Sequence, residues 1–158
     1  MGDEFALPNP FVLLLVILIG VAASVGLAVS AVIRMVRFGR GRDGRAVLRC
    51  LAIAAASAAA GLYAWGALHL LMDETAADQA CKTAVGPERA GKVDRYEPSY
   101  VPLGFGCHVP GHGTYEAAVP GYVNPAVATS GLSALALFLL SSLRPSGARK
   151  SASSPTET

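Results

Sequence analysis

Three long uncharged apolar runs constrain this chain more than any other feature of its sequence. They extend from Phe11 to Ile33, from Leu51 to Met72 and from Val123 to Leu143, and none contains Asp, Glu, Lys or Arg. A helix of about 20 residues, rising 1.5 Å per residue, spans the roughly 30 Å hydrocarbon core of a bilayer. We therefore predict an all-α integral membrane protein with three transmembrane helices.

The arginines between the first two runs set the predicted orientation. This short segment contains six arginines and a single acid, Asp43. Short loops rich in Lys and Arg stay in the cytoplasm, so three crossings place the N-terminus outside and the C-terminus inside. The same side chains could also contact anionic lipid head groups. The six residues are Arg34, Arg37, Arg40, Arg42, Arg45 and Arg49.

Apolar runs and charges together divide the chain into seven segments. We expect the first run to be retained, because a cleaved signal peptide needs a positive n-region and Asp3 and Glu4 precede this run. The ten arginines against three lysines resemble the coding bias of high-GC bacteria, so we expect a bacterial plasma membrane. The segments are an extracytoplasmic N-terminus (1–9), transmembrane helix 1 (10–33), a basic cytoplasmic loop (34–49), transmembrane helix 2 (50–72), an extracytoplasmic loop (73–122), transmembrane helix 3 (123–143) and a disordered cytoplasmic tail (144–158).

Two of the predicted helices begin with the same dipeptide, Asn9-Pro10 and Asn124-Pro125. Asn can cap the first amides of a helix, and Pro fits the first turn. Inside the first run, small residues recur at four-residue spacing and would let helix backbones approach closely, in a bundle or a homo-oligomer. An alanine-rich composition could also produce this spacing by chance. The two rows are Gly20, Ser24 and Ala28, and Ala22, Gly26 and Ser30.

The predicted extracytoplasmic loop contains two of the three cysteines, Cys81 and Cys107. Thiols in a small segment of an oxidising compartment favour a disulfide. Closing a loop of this length contributes about 3 kcal/mol by the chain-entropy estimate. We therefore predict a Cys81–Cys107 disulfide and interpret Cys50 as a small buried thiol.

The same loop also carries patterns of secondary structure. Residues 73–85 favour a helix that continues the second span outward to Gly86-Pro87. Apolar residues then alternate from Val101 to Val109, with Pro102 on the other face as in an edge strand. A turn at residues 110–113 and a second alternating stretch complete a predicted β-hairpin, whose apolar face should lie on the helical extension.

No motif in the sequence points to catalysis or to a cofactor. We find no phosphate-binding loop, no nucleophilic triad and no C-x-x-C pair, and the net charge of +2 is too small to suggest nucleic acid. We therefore expect a non-enzymatic accessory or structural protein without cofactor. Its expected partners are the lipid bilayer and a membrane protein or a second copy of the chain.

Two alternatives come from other functional classes. A membrane redox or metal-handling protein could use Cys81, Cys107, His108 and His112, because thiolate and imidazole suit zinc or copper. The spacing argues against a metal site, since neighbouring residues of a strand point to opposite faces and an oxidised Cys107 cannot act as a thiolate. A subunit of an oligomeric transporter or pore is less favoured, because no charged residue lies mid-membrane.

Overall fold

The computed structural model describes residues 7–38 and 44–143. Over these residues the structure is mostly helical and carries a small antiparallel sheet and the Cys81–Cys107 disulfide, as predicted. Its elements are α1 (Pro10–Phe38), α2 (Gly44–Leu68), α3 (Glu74–Val85), a short 3-10 helix (Ala90–Lys92), β1 (Arg95–Tyr100), β2 (Leu103–Val109), β3 (Gly113–Glu116) and α4 (Val123–Leu143).

Among the described residues, three helices are long and apolar enough to cross a membrane: α1, α2 and α4. The most apolar stretches of these helices have mean hydropathies of 2.9, 1.7 and 1.8. α1 continues to Phe38, past the predicted end at residue 33, and α2 begins at Gly44 instead of residue 50. Arg34, Arg37, Arg45 and Arg49 are therefore helical, whereas Arg40 and Arg42 lie outside the described residues. The predicted tail, 144–158, also lies outside them.

α2 packs along both α1 and α4. Its contact with α1 includes two reciprocal hydrogen bonds, because the Ser24 hydroxyl donates to the Ser57 carbonyl at 3.0 Å and the Ser57 hydroxyl donates to the Ser24 carbonyl at 2.8 Å. Gly20 lies so close to Ala64 that a Cβ on the glycine would approach the alanine Cβ to 2.9 Å. Gly20 and Ser24 of the predicted small-residue row thus lie at the α1–α2 interface. A Cβ added to Gly26, in the second row, would have nothing within 4 Å of it.

The predicted continuation of the second span into residues 73–85 is wrong. α2 ends at Leu68, and a tight turn follows in which Leu70 and Leu71 donate to carbonyls three residues earlier. The Asp73 carboxylate then accepts from the amide of Ala76 at 2.8 Å and starts α3 as a new helix. The new helix ends at Val85, and Gly86 follows it with a φ of 81°, a conformation that favours glycine.

The predicted hairpin is present as β2 and β3, but the sheet has a third strand. β1 pairs antiparallel with β2, so β2 is the central strand and not an edge. Pro102 accordingly lies in the turn between β1 and β2 instead of in a strand. β1 was missed because its segment is charged and contains Pro98, although Tyr96 and Tyr100 repeat at strand spacing on one face.

The apolar face of the sheet packs against α3 and the end of the helical bundle. Phe105, Cys107 and Val109 of β2 are fully buried there, and Tyr96 of β1 contacts Phe105 with ring centroids 5.2 Å apart. The remaining buried members of this core are Leu13, Ala67, Leu70, Ala77, Cys81, Val85, Leu103, Val119 and Val123. Helices and sheet therefore share a continuous core.

The two glycines of α1 give a test of the α1–α2 packing. We expect Gly20→Ala to destabilise the protein by about 1–3 kcal/mol, because the added methyl group overpacks the contact with Ala64. Gly26→Ala is the matched control, and we expect it to be neutral or stabilising because its site is open. Chemical denaturation in detergent measures both variants. Equal stability of the two would contradict this packing.

Candidate functional site

Residues 69–122 form a small folded unit on one end of the helices, which we call the cap. The residues that join β1 to β2, 100–103, we call the anchor turn. Asn124 of α4 binds both backbone groups of Leu103: its Oδ1 accepts from the Leu103 amide at 3.0 Å, and its Nδ2 donates to the Leu103 carbonyl at 2.8 Å. Asn124 was predicted to cap α4, but its side chain instead attaches the cap to the helix.

The two other long helices contact Tyr100 of the same turn. The Tyr63 hydroxyl of α2 donates to the Tyr100 carbonyl at 2.7 Å. The backbone amide of Asn9, which precedes α1, donates to the Tyr100 hydroxyl at 3.1 Å. The Asn9 side chain meanwhile accepts from the amides of Phe11 and Val12, in the capping role predicted for it. One turn of the cap is thus hydrogen-bonded to α2, to α4 and to the residue that caps α1.

Close packing accompanies these hydrogen bonds. Leu103 is 1% exposed and lies over Gly66 of α2. A Cβ on Gly66 would stand 2.6 Å from Leu103 Cδ2 and 2.7 Å from Val123 Cγ1, so any larger residue would require these two side chains to shift. Because the Leu103 backbone is buried in this apolar seam, its amide and carbonyl need the partners that Asn124 supplies.

The disulfide between Cys81 and Cys107 joins α3 to the central strand, with 5.7 Å between the Cα atoms. Cys81 is 2% exposed and Cys107 is 0% exposed, in the core between α3 and the sheet. A thiolate that attacks a disulfide must reach one of its sulfurs, and burial denies that access. The position of this bond suits a structural crosslink.

The opposite face of the sheet is polar. His108 of β2 lies there and donates from Nδ1 to the Asp94 carboxylate at 2.7 Å. This hydrogen bond, together with the nearby Arg95 guanidinium, lowers the pKa of Asp94 below its usual value. Hydrogen bonds from Arg95 and Thr114 likewise lower the pKa of Glu97. These carboxyl groups are therefore held as anions at neutral pH, and neither has the raised pKa of a general acid.

The candidate metal ligands are not brought together. Cys107 faces the core, whereas His108 faces the polar side of the sheet. His112 is exposed in the β2–β3 turn, and its Nδ1 lies 3.2 Å from the carbonyl oxygen of Pro110 in the same turn. The third histidine of the chain, His69, pairs with the Trp65 carbonyl at 3.0 Å and with the Trp65 ring at a 5.2 Å centroid distance. Within residues 7–38 and 44–143, no group of three or more His, Cys, Asp or Glu side chains is arranged to hold a metal ion.

The described arginines of the basic segment lie at the end of the helices opposite the cap. Arg34 and Arg37 are exposed near the end of α1, and Arg45 and Arg49 lie in the first two turns of α2. An open groove of about 390 Å³ is lined by Arg34, Arg37 and two residues of the preceding turns, Ser30 and Ile33. The molecule is therefore polar at both ends of its apolar helices.

Comparisons of this chain with protein-family models, with curated proteins and with solved structures give no match.

Sequence reasoning missed the residues that attach the cap to the helices. Asn124 was singled out, but its partner Leu103 lies 21 residues away and no local pattern links them. Tyr63 was one of the few polar side chains within the second run, and a buried Tyr hydroxyl usually finds a partner. That signal could have indicated a contact to the cap, although it could not have identified the Tyr100 carbonyl.

Asn124 gives the most direct test of the attachment. We expect Asn124→Ala to destabilise the protein by about 2 kcal/mol or more, because it leaves the buried amide and carbonyl of Leu103 without partners, each at a cost of about 1–3 kcal/mol. Thr129→Ala is the matched control on the same helix, since the Thr129 hydroxyl bonds only to the carbonyls of Pro125 and Ala126 in its own helix. We expect this control to stay within about 0.5 kcal/mol of the wild type. Equal losses in chemical denaturation would refute the role of Asn124.

Proposed function

We propose that this chain is a multi-pass membrane protein whose three long helices hold a rigid extracytoplasmic cap for contact with another membrane protein. The N-terminus lies outside, the C-terminus lies in the cytoplasm and the bilayer is bacterial plasma membrane. In this role the protein is an accessory or structural component and not an enzyme. The observation that carries the proposal is the attachment of one turn of the cap to all three helices.

Charge and redox chemistry support this orientation. The arginines at the end opposite the cap favour the cytoplasmic side, where a basic loop is retained and anionic head groups lie nearby. The Cys81–Cys107 disulfide belongs to the cap, and disulfides persist in extracytoplasmic compartments. Two independent features therefore favour the same assignment of sides.

The polar face of the sheet is the surface that we assign to the partner. It presents fixed charges of both signs from Arg95, Glu97 and Glu116, together with Thr114. Glu97 is held by Arg95 and Thr114, each at 2.9 Å, and Glu116 is held by the Phe105 amide at 2.7 Å. Side chains fixed in this way lose little conformational freedom on binding, which favours protein contact.

A redox or metal-handling role has less support. Exchange chemistry would need an accessible sulfur, whereas both sulfurs of the disulfide belong to buried residues. A thiolate ligand would need Cys107 to be reduced and to face His108, which lies on the other side of the strand. Neither condition agrees with the geometry of the cap.

Photocrosslinking in intact cells tests the proposal. A photoreactive amino acid in place of Thr114 samples the polar face of the sheet, and one in place of Leu132, 67% exposed on α4, samples lipid. We expect a discrete protein adduct from position 114 and lipid adducts alone from position 132. Protein adducts from neither position would overturn the contact role.

Epitope tags test the orientation separately. A tag inserted after His112 should be reached by an impermeant protease on intact cells, whereas a tag after Asp43 should be reached only after lysis. The reverse pattern would overturn the assignment of sides without bearing on whether the helices span the membrane.

A further inference from the structure

An apolar pair lies exposed within the anchor turn. Val101 is 86% exposed, the largest exposed fraction recorded for a large apolar side chain among the described residues, and Pro102 beside it is also exposed. The flanking residues are fixed, because Tyr100 is bonded to Tyr63 and Asn9 and Leu103 is bonded to Asn124. The turn therefore holds two apolar side chains outward on a rigid base.

The contacts of the flanking residues show where this pair lies along the length of the helices. Asn9 immediately precedes α1, and Asn124 is the second residue of α4. Leu103 packs over Gly66, two residues before the end of α2. Tyr100 and Leu103 therefore lie level with the cap-side ends of all three long helices, and so does the pair between them.

This level is where a membrane would change from acyl chains to head groups. Tyr122, 58% exposed just before α4, is of the residue type enriched at this boundary. Phe11 stands 82% exposed at the start of α1. Large apolar side chains near these ends of α1 and α2 are exposed as well, among them Val12, Trp65 and Leu68. An apolar pair held there meets lipid more readily than water.

We propose that Val101 and Pro102 insert into the outer leaflet, at the boundary between its head groups and acyl chains. This inference rests on the proposed membrane placement and extends it from the helices to the cap. The turn then acts as a fixed wedge that sets how close the cap lies to the bilayer. Its ligand is the lipid surface itself.

The single tryptophan of the chain makes the test specific. Trp65 is 50% exposed near the end of α2, so in the wild type it reports on membrane placement. In a Trp65→Phe background, Val101→Trp reports on the anchor turn. His112→Trp in the same background reports on the far end of β2, about 20 Å along the strand from Leu103 at 3.3 Å per residue. Each variant is reconstituted in vesicles of phospholipid brominated near the head-group end of the acyl chain.

We expect the Val101→Trp variant to lose about half of its fluorescence to these bromines, because its ring would lie within the ~5–10 Å boundary layer. The His112→Trp control should lose little to bromine and should instead be quenched by aqueous acrylamide. Retention of the disulfide on non-reducing gels shows that each variant is folded. Bromine quenching of wild-type Trp65 without quenching of the Val101→Trp variant would overturn this inference alone. Absence of quenching at Trp65 would overturn the membrane placement itself.

Discussion

The attachment of the anchor turn to the helices is the contact on which the rest of the structure depends. Leu103 enters an apolar seam between α2 and α4, and a buried backbone amide or carbonyl without a partner costs about 1–3 kcal/mol. Asn124 satisfies both groups with one side chain, at 3.0 and 2.8 Å. Tyr63 and Asn9 fix the other end of the same turn. Because the turn joins β1 to the central strand, its position determines that of the whole sheet.

The disulfide stabilises the cap that this attachment holds on the helices. A three-stranded sheet with a single twelve-residue helix buries little apolar surface, and units of this size usually need a crosslink or a partner surface. Cys81 and Cys107 supply the crosslink at the centre of the cap, and the ends of the long helices supply the partner surface. The interior of the cap is therefore filled by packed side chains, and the hydrogen-bonded charged side chains of the sheet lie on its polar face.

Periodicity and charge predicted the features that depend on local sequence. Uncharged length predicted three apolar helices of membrane length, and strict alternation around Cys107 predicted β2. Two cysteines in a small segment of an expected oxidising compartment predicted the disulfide. The break between α2 and α3 was hidden because Leu70, Leu71 and Met72 prolong the apolar run, although Asp73 is a typical helix cap. β1 was not predicted, because charged residues and Pro98 interrupt the alternation of its apolar residues. The contact between Asn124 and Leu103 joins residues that only the tertiary fold brings together, so no local pattern reports it.

Hydrogen exchange of the cap in lipid nanodiscs tests most directly whether cap and helices form one unit. If the account is correct, the Leu103 amide is as strongly protected as amides within α2 and α4, because its hydrogen bond opens only when the cap separates from the helices. Protection of Leu103 should fall in the Asn124→Ala protein while the interior of α4 stays protected. Exchange of Leu103 at the rate of an unstructured chain, in the wild type with its disulfide intact, would contradict the account.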